Sequence, residues 1–127
     1  MNHAGHLLDS HVLLWLDSEN ERLTRTPLLN MLPRSSIFVS VATAWELGIK
    51  FASNKLDLRI PVSEMTSVYG FTELAIQFKH VEFAAALPYR HRDPFDRLLV
   101  AQALVEGMVL VTADDRLAEY GVPVLRI

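Results

Sequence analysis

Four acidic residues stand apart by place in the sequence: Asp9, Glu46, Asp96 and Asp114. Asp9 closes a short apolar run, and Glu46 lies in the first turns of the helix predicted after a second such run. Asp96 falls in the first turn of a predicted helix, and Asp114 follows the apolar run 108–111 through Thr112 and Ala113. Two carboxylates about 5 Å apart repel by about 3 kcal/mol at an effective dielectric near ~20. Three or four in one crevice therefore require a cation between them or must hold their protons. All-oxygen donor sets of this kind suit Mg2+ or Mn2+ and not zinc. A divalent ion held by carboxylates stabilises charge on phosphoryl oxygens and activates a water, which is the equipment of phosphodiester hydrolysis.

Taken singly, each acid also has a structural reading. Thr43-x-x-Glu46 and Thr112-x-x-Asp115 match capping boxes, and Asp93-Pro94-Phe95-Asp96 is an ordinary helix start with acids favoured by the dipole. Asp9 is placed to cap the helix that follows it. Caps, however, have no reason to converge on one edge of a sheet. The four acids do converge if the strands that carry them run parallel.

The elements along the chain predict that arrangement. Short strands are expected at 6–9, 37–40, 71–76, 108–111 and 122–125. Between them, helices are expected at 11–17, 22–32, 41–53, 61–69, 81–87, 94–106 and 114–119. The 94–106 helix has Asp93 at its N-cap, Pro94 at its first position and Gly107 at its end. The 41–53 helix carries an apolar stripe at Val41, Ala44, Trp45, Gly48, Ile49 and Ala52. This alternation predicts an α/β fold with a mostly parallel sheet, as a single domain over 1–127. In such sheets ligands bind beyond the C-terminal strand ends, where strand order reverses.

Composition removes other classes. The 127 residues include no cysteine, which excludes disulfide scaffolds, thiolate zinc sites and cysteine nucleophiles. Half the residues are hydrophobic, yet the longest stretch free of Asp, Glu, Lys and Arg is 35–45, too short to cross a bilayer. The N-terminal run lacks a basic flank and is cut by Asp9, so neither a signal peptide nor a membrane anchor is expected. The apolar surplus implies strands buried on both faces, or a partner that covers a patch.

Four blocks of the sequence together resemble a known family. They are Leu7-Leu8-Asp9-Ser10-His11-Val12-Leu13-Leu14-Trp15, Ala44-Trp45-Glu46-Leu47-Gly48-Ile49-Lys50, His91-Arg92-Asp93-Pro94-Phe95-Asp96-Arg97-Leu98-Leu99-Val100-Ala101-Gln102-Ala103 and Leu110-Val111-Thr112-Ala113-Asp114. In order and spacing they resemble the PIN domain of VapC-type toxins, the ribonuclease halves of type II toxin–antitoxin modules. The resemblance implies a five-stranded sheet flanked by helices and an endoribonuclease that uses Mg2+ or Mn2+. It also implies an RNA substrate, a homodimer, a small VapB-type antitoxin and a cytoplasmic location. Residue by residue, Asp9, Glu46, Asp96 and Asp114 match the acidic quartet, and Ser10 and Thr112 match the small hydroxyl positions that brace it. Asp93 belongs to the extended motif and is also the N-cap candidate, and Asp115 stands beside the quartet as an extra acid.

The remaining charges bear on the substrate. Arg90, His91, Arg92 and Arg97 bracket Asp93 and Asp96, which makes them, the three arginines above all, candidates for RNA phosphate contacts beside the acids. Lys50, Lys55 and Arg59 form a thinner basic run that reads as a solvated face. The five histidines show no i,i+4 pair, so a histidine-built metal site is not expected. Trp15 and Trp45 fall at helical apolar positions and read as core. No glycine-rich phosphate loop is present. The rival readings are a non-catalytic binding module and a receiver-type phosphoacceptor domain, the latter lacking its acidic pair and late lysine. The net charge of −3 does not oppose an RNA substrate, because the chain without the four acids carries +1.

Overall fold

The computed structural model describes residues 5–18, 30 and 32–127. Five short strands form one sheet: β1 (His6–Leu8), β2 (Ile37–Ser40), β3 (Thr72–Leu74), β4 (Val109–Thr112) and β5 (Val124–Arg126), in the order β3-β2-β1-β4-β5. Every pairing is parallel, with Leu7 opposite Phe38 on one side and Leu110 on the other. The expected mostly parallel sheet is therefore wholly so. Strand order reverses at β1, which lies between β2 and β4, and that places the crevice at the C-terminal ends of β1 and β4.

Alternation along the strands explains how both faces are buried. Leu8, Ile37, Val39 and Val111 point to one side, packing with Val12 and Leu13 of α1 (Ser10–Asp17), Leu47 of α2 (Val41–Ala52) and Met65 of α3 (Val62–Tyr69). Leu7 and Leu110 point to the other, packing with Leu99, Val100 and Ala103 of α5 (Pro94–Glu106). Burying each large aliphatic side chain contributes about 1.5–3 kcal/mol. At the start of β1, Gly5 is required by close approach: a Cβ there would fall 2.6 Å from the Phe38 ring.

Several boundaries differ from expectation for local reasons. The final strand starts at Val124 because Pro123 cannot donate to the ladder, although its carbonyl accepts from Leu110 N–H at 2.8 Å. Helix α4 (Phe78–Ala86) begins earlier than expected, since Gln77 and His80 satisfy each other's backbone N–H groups as a capping box. The last short helix is a 3-10 turn, Asp115–Tyr120, and the strand expected at 71–76 is only Thr72–Leu74. The helix expected over 22–32 lies, apart from residues 30 and 32, outside the described residues.

Helix α2 departs most from its sequence pattern. Its buried residues are Ala42, Thr43, Glu46 and Leu47, whereas Val41, Trp45, Ile49 and Phe51 are exposed. Trp45, expected in the core, is 65 % exposed. Trp15 is half-buried and packs against the core as expected. The apolar stripe of α2 faces outward.

Candidate active site

Three of the four proposed acids, Asp9, Asp96 and Asp114, reach the crevice, each by a different local device, whereas Glu46 does not line it. Asp9 follows the last residue of β1, and its N–H continues the ladder to Val111 O at 2.9 Å. It is the N-cap of α1, yet its side chain makes no capping bond, so the carboxylate is free for other work. Thr112 Oγ1 donates to Asp9 Oδ2 at 2.7 Å and accepts from Asp114 N–H at 3.0 Å. One hydroxyl thus fixes two of the acids. Asp9 is 3 % exposed, and its Oδ1 is buried with no hydrogen-bond partner.

Asp93 caps α5, accepting from the N–H groups of Phe95 at 2.8 Å and Asp96 at 3.3 Å. That cap leaves the Asp96 carboxylate unspent one turn into the helix. Asp114 caps the 3-10 turn through Arg116 N–H at 3.0 Å and is also held by the Arg116 guanidinium, at 3.0 and 2.8 Å. Asp9, Asp93, Asp96, Asp114 and Asp115 all line one open crevice of about 590 Å³, together with His91. Asp115 is exposed there and pairs with Arg126 at 3.0 Å.

Glu46 is placed differently. The N-cap of α2 is Ser40, whose Oγ accepts from Ala42 N–H at 3.0 Å, so Glu46 sits past the first turn and is not part of a capping box. It is 3 % exposed, and both its oxygens are engaged: Ser10 Oγ donates at 2.5 Å and Lys50 Nζ at 3.1 Å. Lys50, read as part of a solvated run, instead pins this buried acid.

The electrostatics are those of carboxylates short of positive charge. Burial, then repulsion from Asp93, Asp9, Glu46 and Asp114, pushes Asp96 up to about 7. Burial also raises Asp9, against the lowering by its Thr112 hydrogen bond. Asp114 is held down at about 2, first by its Arg116 hydrogen bonds. A divalent cation fits this donor set on two grounds. Asp9 Oδ1 is a buried acceptor without a donor, and Asp96 bears repulsion that a cation would cancel.

The arginines are distributed otherwise than expected. Arg97 does not line the crevice; its guanidinium donates to the carbonyls of Ala84, Leu87 and Pro88 at 2.9–3.1 Å and stacks over Tyr89. It closes the C-terminal end of α4, where carbonyls lack helical partners. Arg90 and Arg92 are exposed on the loop before α5, outside the crevice lining, and Arg116 is the arginine on its wall. Of the four basic residues that bracket Asp93 and Asp96 in the sequence, His91 is the one that lines the crevice. Its Nε2 lies 3.4 Å from Asp96 Oδ2 and 3.7 Å from Asp114 Oδ2, and the three residues bring donor atoms within 4.8 Å of one another. A search for ligand spacing on helices misses it, because a loop delivers it. Its place two residues before the cap Asp93 is the signal that was available.

Comparison with known proteins identifies the family of the chain. The PIN domain family model matches residues 6–123. The chain is 30 % identical over 124 residues to ribonuclease VapC22 of Mycobacterium tuberculosis (strain ATCC 25618 / H37Rv), covering 92 % of each. Among solved structures, it superposes on a chain of a toxin–antitoxin complex from Klebsiella pneumoniae with a TM-score of 0.70 at 18 % identity, covering 95 % of this chain and 96 % of the other. A chain of DNA-bound VapBC from Salmonella typhimurium gives 0.66 at 18 % identity, covering 96 % and 97 %. The all-parallel sheet, the acids at its β1–β4 edge and the match over nearly the whole chain place this protein in the PIN domain family, within its VapC group.

Proposed function

We propose that this chain is the endoribonuclease toxin of a VapBC-type module, hydrolysing RNA phosphodiesters with a divalent ion, Mg2+ or Mn2+, in the β1–β4 crevice. The observation that carries this reading is the buried, donorless Asp9 Oδ1 beside Asp96 and Asp114. Asp9, Asp96 and Asp114 are the residues that would hold the ion. When bound, the ion supplies charge stabilisation to the phosphoryl oxygens and lowers the pKa of water.

The chain's own residues do the rest. Thr112 sets the distance between Asp9 and Asp114 by bonding both. Ser10 and Lys50 fix Glu46 by hydrogen bonds to its two oxygens, and Glu46 adds to the repulsion that raises Asp9 and Asp96. Arg116 keeps Asp114 deprotonated, and Arg90 and Arg92 offer phosphate contacts on the approach to the crevice. In-line attack by water leaves 5′-phosphate and 3′-hydroxyl ends.

The outward apolar stripe of α2 supports a protein partner. It borders a groove of about 430 Å³ lined by Ala44, Gly48, Phe51, Leu58 and Ile60, which suits a helix of a small VapB-type antitoxin. A second apolar exposure on α4, at Phe78, Val81 and Phe83, suits a homodimer contact. No described helix is long and apolar enough to cross a membrane, and the reading places the protein in the cytoplasm with its RNA and antitoxin.

Purified protein incubated with defined RNAs tests the function. Cleavage with Mg2+ or Mn2+, abolished by EDTA and by Asp9→Asn, is expected. Cleavage that survives EDTA, or that yields 2′,3′-cyclic phosphates, would exclude this mechanism.

A further inference from the structure

The crevice that gathers the acids also has an aromatic stretch of wall, made by His11 and Trp15. Both belong to α1, whose N-cap residue is Asp9, and their i,i+4 spacing puts them on one face of that helix. The helix therefore carries an aromatic strip from its first turn, beside Asp9, into its last. His11 is exposed, whereas Trp15 is half-buried, packed on the core and yet part of the crevice lining. Their ring centroids are 6.5 Å apart with planes tilted by 46°, so the two rings do not lie face on face. Core packing accounts for one side of Trp15 but not for an exposed ring one turn before it. An aromatic surface left on the wall of a crevice of carboxylates forgoes burial that would stabilise the fold.

We infer that the His11–Trp15 strip is a nucleobase subsite: an unpaired base of the RNA, next to the phosphate held at the acids, stacks on these rings. The inference rests on the nuclease reading above and deepens it, because it names the class of RNA that is cut. Every nucleobase has a π-face, so stacking accepts any base, whereas a duplex keeps the faces of its bases covered. The strip therefore selects single-stranded segments and loops. It also meets an electrostatic need. The acids repel a polyanion, and the exposed Arg90 and Arg92 attract it through a force that salt weakens. A stacked base releases no counterion, so its share of the affinity survives salt. It also sets which phosphate lies over Asp9, because Asp9 begins the helix that carries both rings.

Binding is measured by fluorescence anisotropy on a fluorescein-labelled RNA dodecamer, with Ca2+ in place of Mg2+. The dodecamer is used single-stranded, annealed to its complement, and as a strand built from abasic spacers throughout. Trp15→Ala is expected to weaken binding of the single strand about tenfold or more, and Trp15→Phe, which keeps a ring, by about threefold at most. His11→Ala should weaken it by about threefold, since imidazole offers the smaller face. Binding of the duplex and abasic forms should change by less than about twofold in all three variants. The slope of affinity against salt should stay that of the parent in Trp15→Ala, whereas Arg90→Ala combined with Arg92→Ala should flatten it.

Equal losses on all three forms would make Trp15 a support of the fold or of the phosphate path and overturn the proposal. Full affinity for the single strand in Trp15→Ala, or a parent that binds the duplex as tightly as the single strand, would overturn it too. Should Trp15→Ala unfold, because its ring also packs on the core, emission decides. In Trp45→Phe, Trp15 is the remaining one of the two tryptophans, and its emission should be quenched by the single strand but not by the abasic strand. Emission unmoved by the single strand would overturn the proposal. Failure of the nuclease reading itself looks different: the parent would neither bind the single strand nor cut it with Mg2+ or Mn2+.

Discussion

The two faces of α2 break the usual rule of burial in opposite directions. Inward, the helix buries Thr43 and a carboxylate, Glu46, while outward it exposes Val41, Trp45 and Ile49. By contrast, α5 largely follows the rule, with Leu99, Val100, Ala101 and Ala103 buried beside one amide, Gln102, and its ends capped by Asp93 and Gly107. The difference shows what each helix is oriented by. Apolar packing dominates the buried face of α5, with Gln102 as its buried polar residue. The orientation of α2 comes from Leu47 in the core, from Ser10 and Lys50 gripping Glu46, and from Ser40 at its start, where Gln102 of α5 bonds the Ser40 hydroxyl at 2.5 Å. Burying an acid costs stability unless it is paired, and exposing a tryptophan forgoes stability, so both choices point to function.

The crevice gives the largest test of this contrast. Asp96→Asn should lower RNA cleavage about a thousandfold, equivalent to about 4 kcal/mol of lost transition-state stabilisation. The same substitution should raise the melting temperature of the protein in EDTA at pH 8, because it removes a charge that Asp93, Asp9, Glu46 and Asp114 repel. Assay and melt moving in opposite directions would mark the acid as functional. A fall in both would reassign Asp96 to the fold.

Next in size is the inner face of α2. Leu47 is fully buried, and Leu47→Ala should destabilise by about 2–5 kcal/mol in urea unfolding. Ile49→Ala, two residues further along and on the outer stripe, should cost well under about 1 kcal/mol. Equal costs would mean that the outer stripe is also packed.

The legibility of the sequence divides along the same line. For α5, Asp93, Pro94 and Gly107 announce both ends, and the structure places its start and stop where they say. Parallel strands and the convergence of Asp9, Asp96 and Asp114 were also readable, because strand ends and helix starts share an edge in any such sheet. For α2, the period of the stripe was right and its direction was wrong. Periodicity identifies which residues share a face but not what that face meets. Arg97 was misread for a related reason. Proximity in sequence to Asp96 suggested phosphate contact, whereas one helical position turns its side chain to the α4 carbonyls. His91 was legible as a neighbour of Asp93 and Asp96 but not of Asp114, which comes from a different element that only the fold brings to it.

A smaller effect follows from the raised carboxyls. Asp96 sits at about 7 in the fold against about 4 when unfolded, so the native state binds the extra proton in between. Stability without metal is therefore fullest below about pH 4 and is lost as pH rises through about 7, by a few degrees in melting temperature. Saturating Mn2+ should reverse the trend, since an ion bound only by the native state stabilises it and competes with the proton. Asp96→Asn should flatten most of the slope in EDTA, leaving the part due to Asp9. A slope of opposite sign would mean that the acids are paired with cations in the native state and need no metal.

The smallest expected change in stability belongs to the outer face of α2. Trp45→Glu replaces a side chain that is 65 % exposed, so the isolated protein should keep its stability within about 0.5 kcal/mol. RNA cleavage should also persist, because Glu46 next to it points the other way and keeps its bonds to Ser10 and Lys50. What should fall is retention of the co-expressed antitoxin in pull-down, since a carboxylate placed in an apolar contact is desolvated without a partner. A drop of more than about 4 °C in melting temperature would instead show that Trp45 supports the fold. The contrast between the faces of α2 would then be one of packing alone, and the outward stripe would no longer argue for a protein partner.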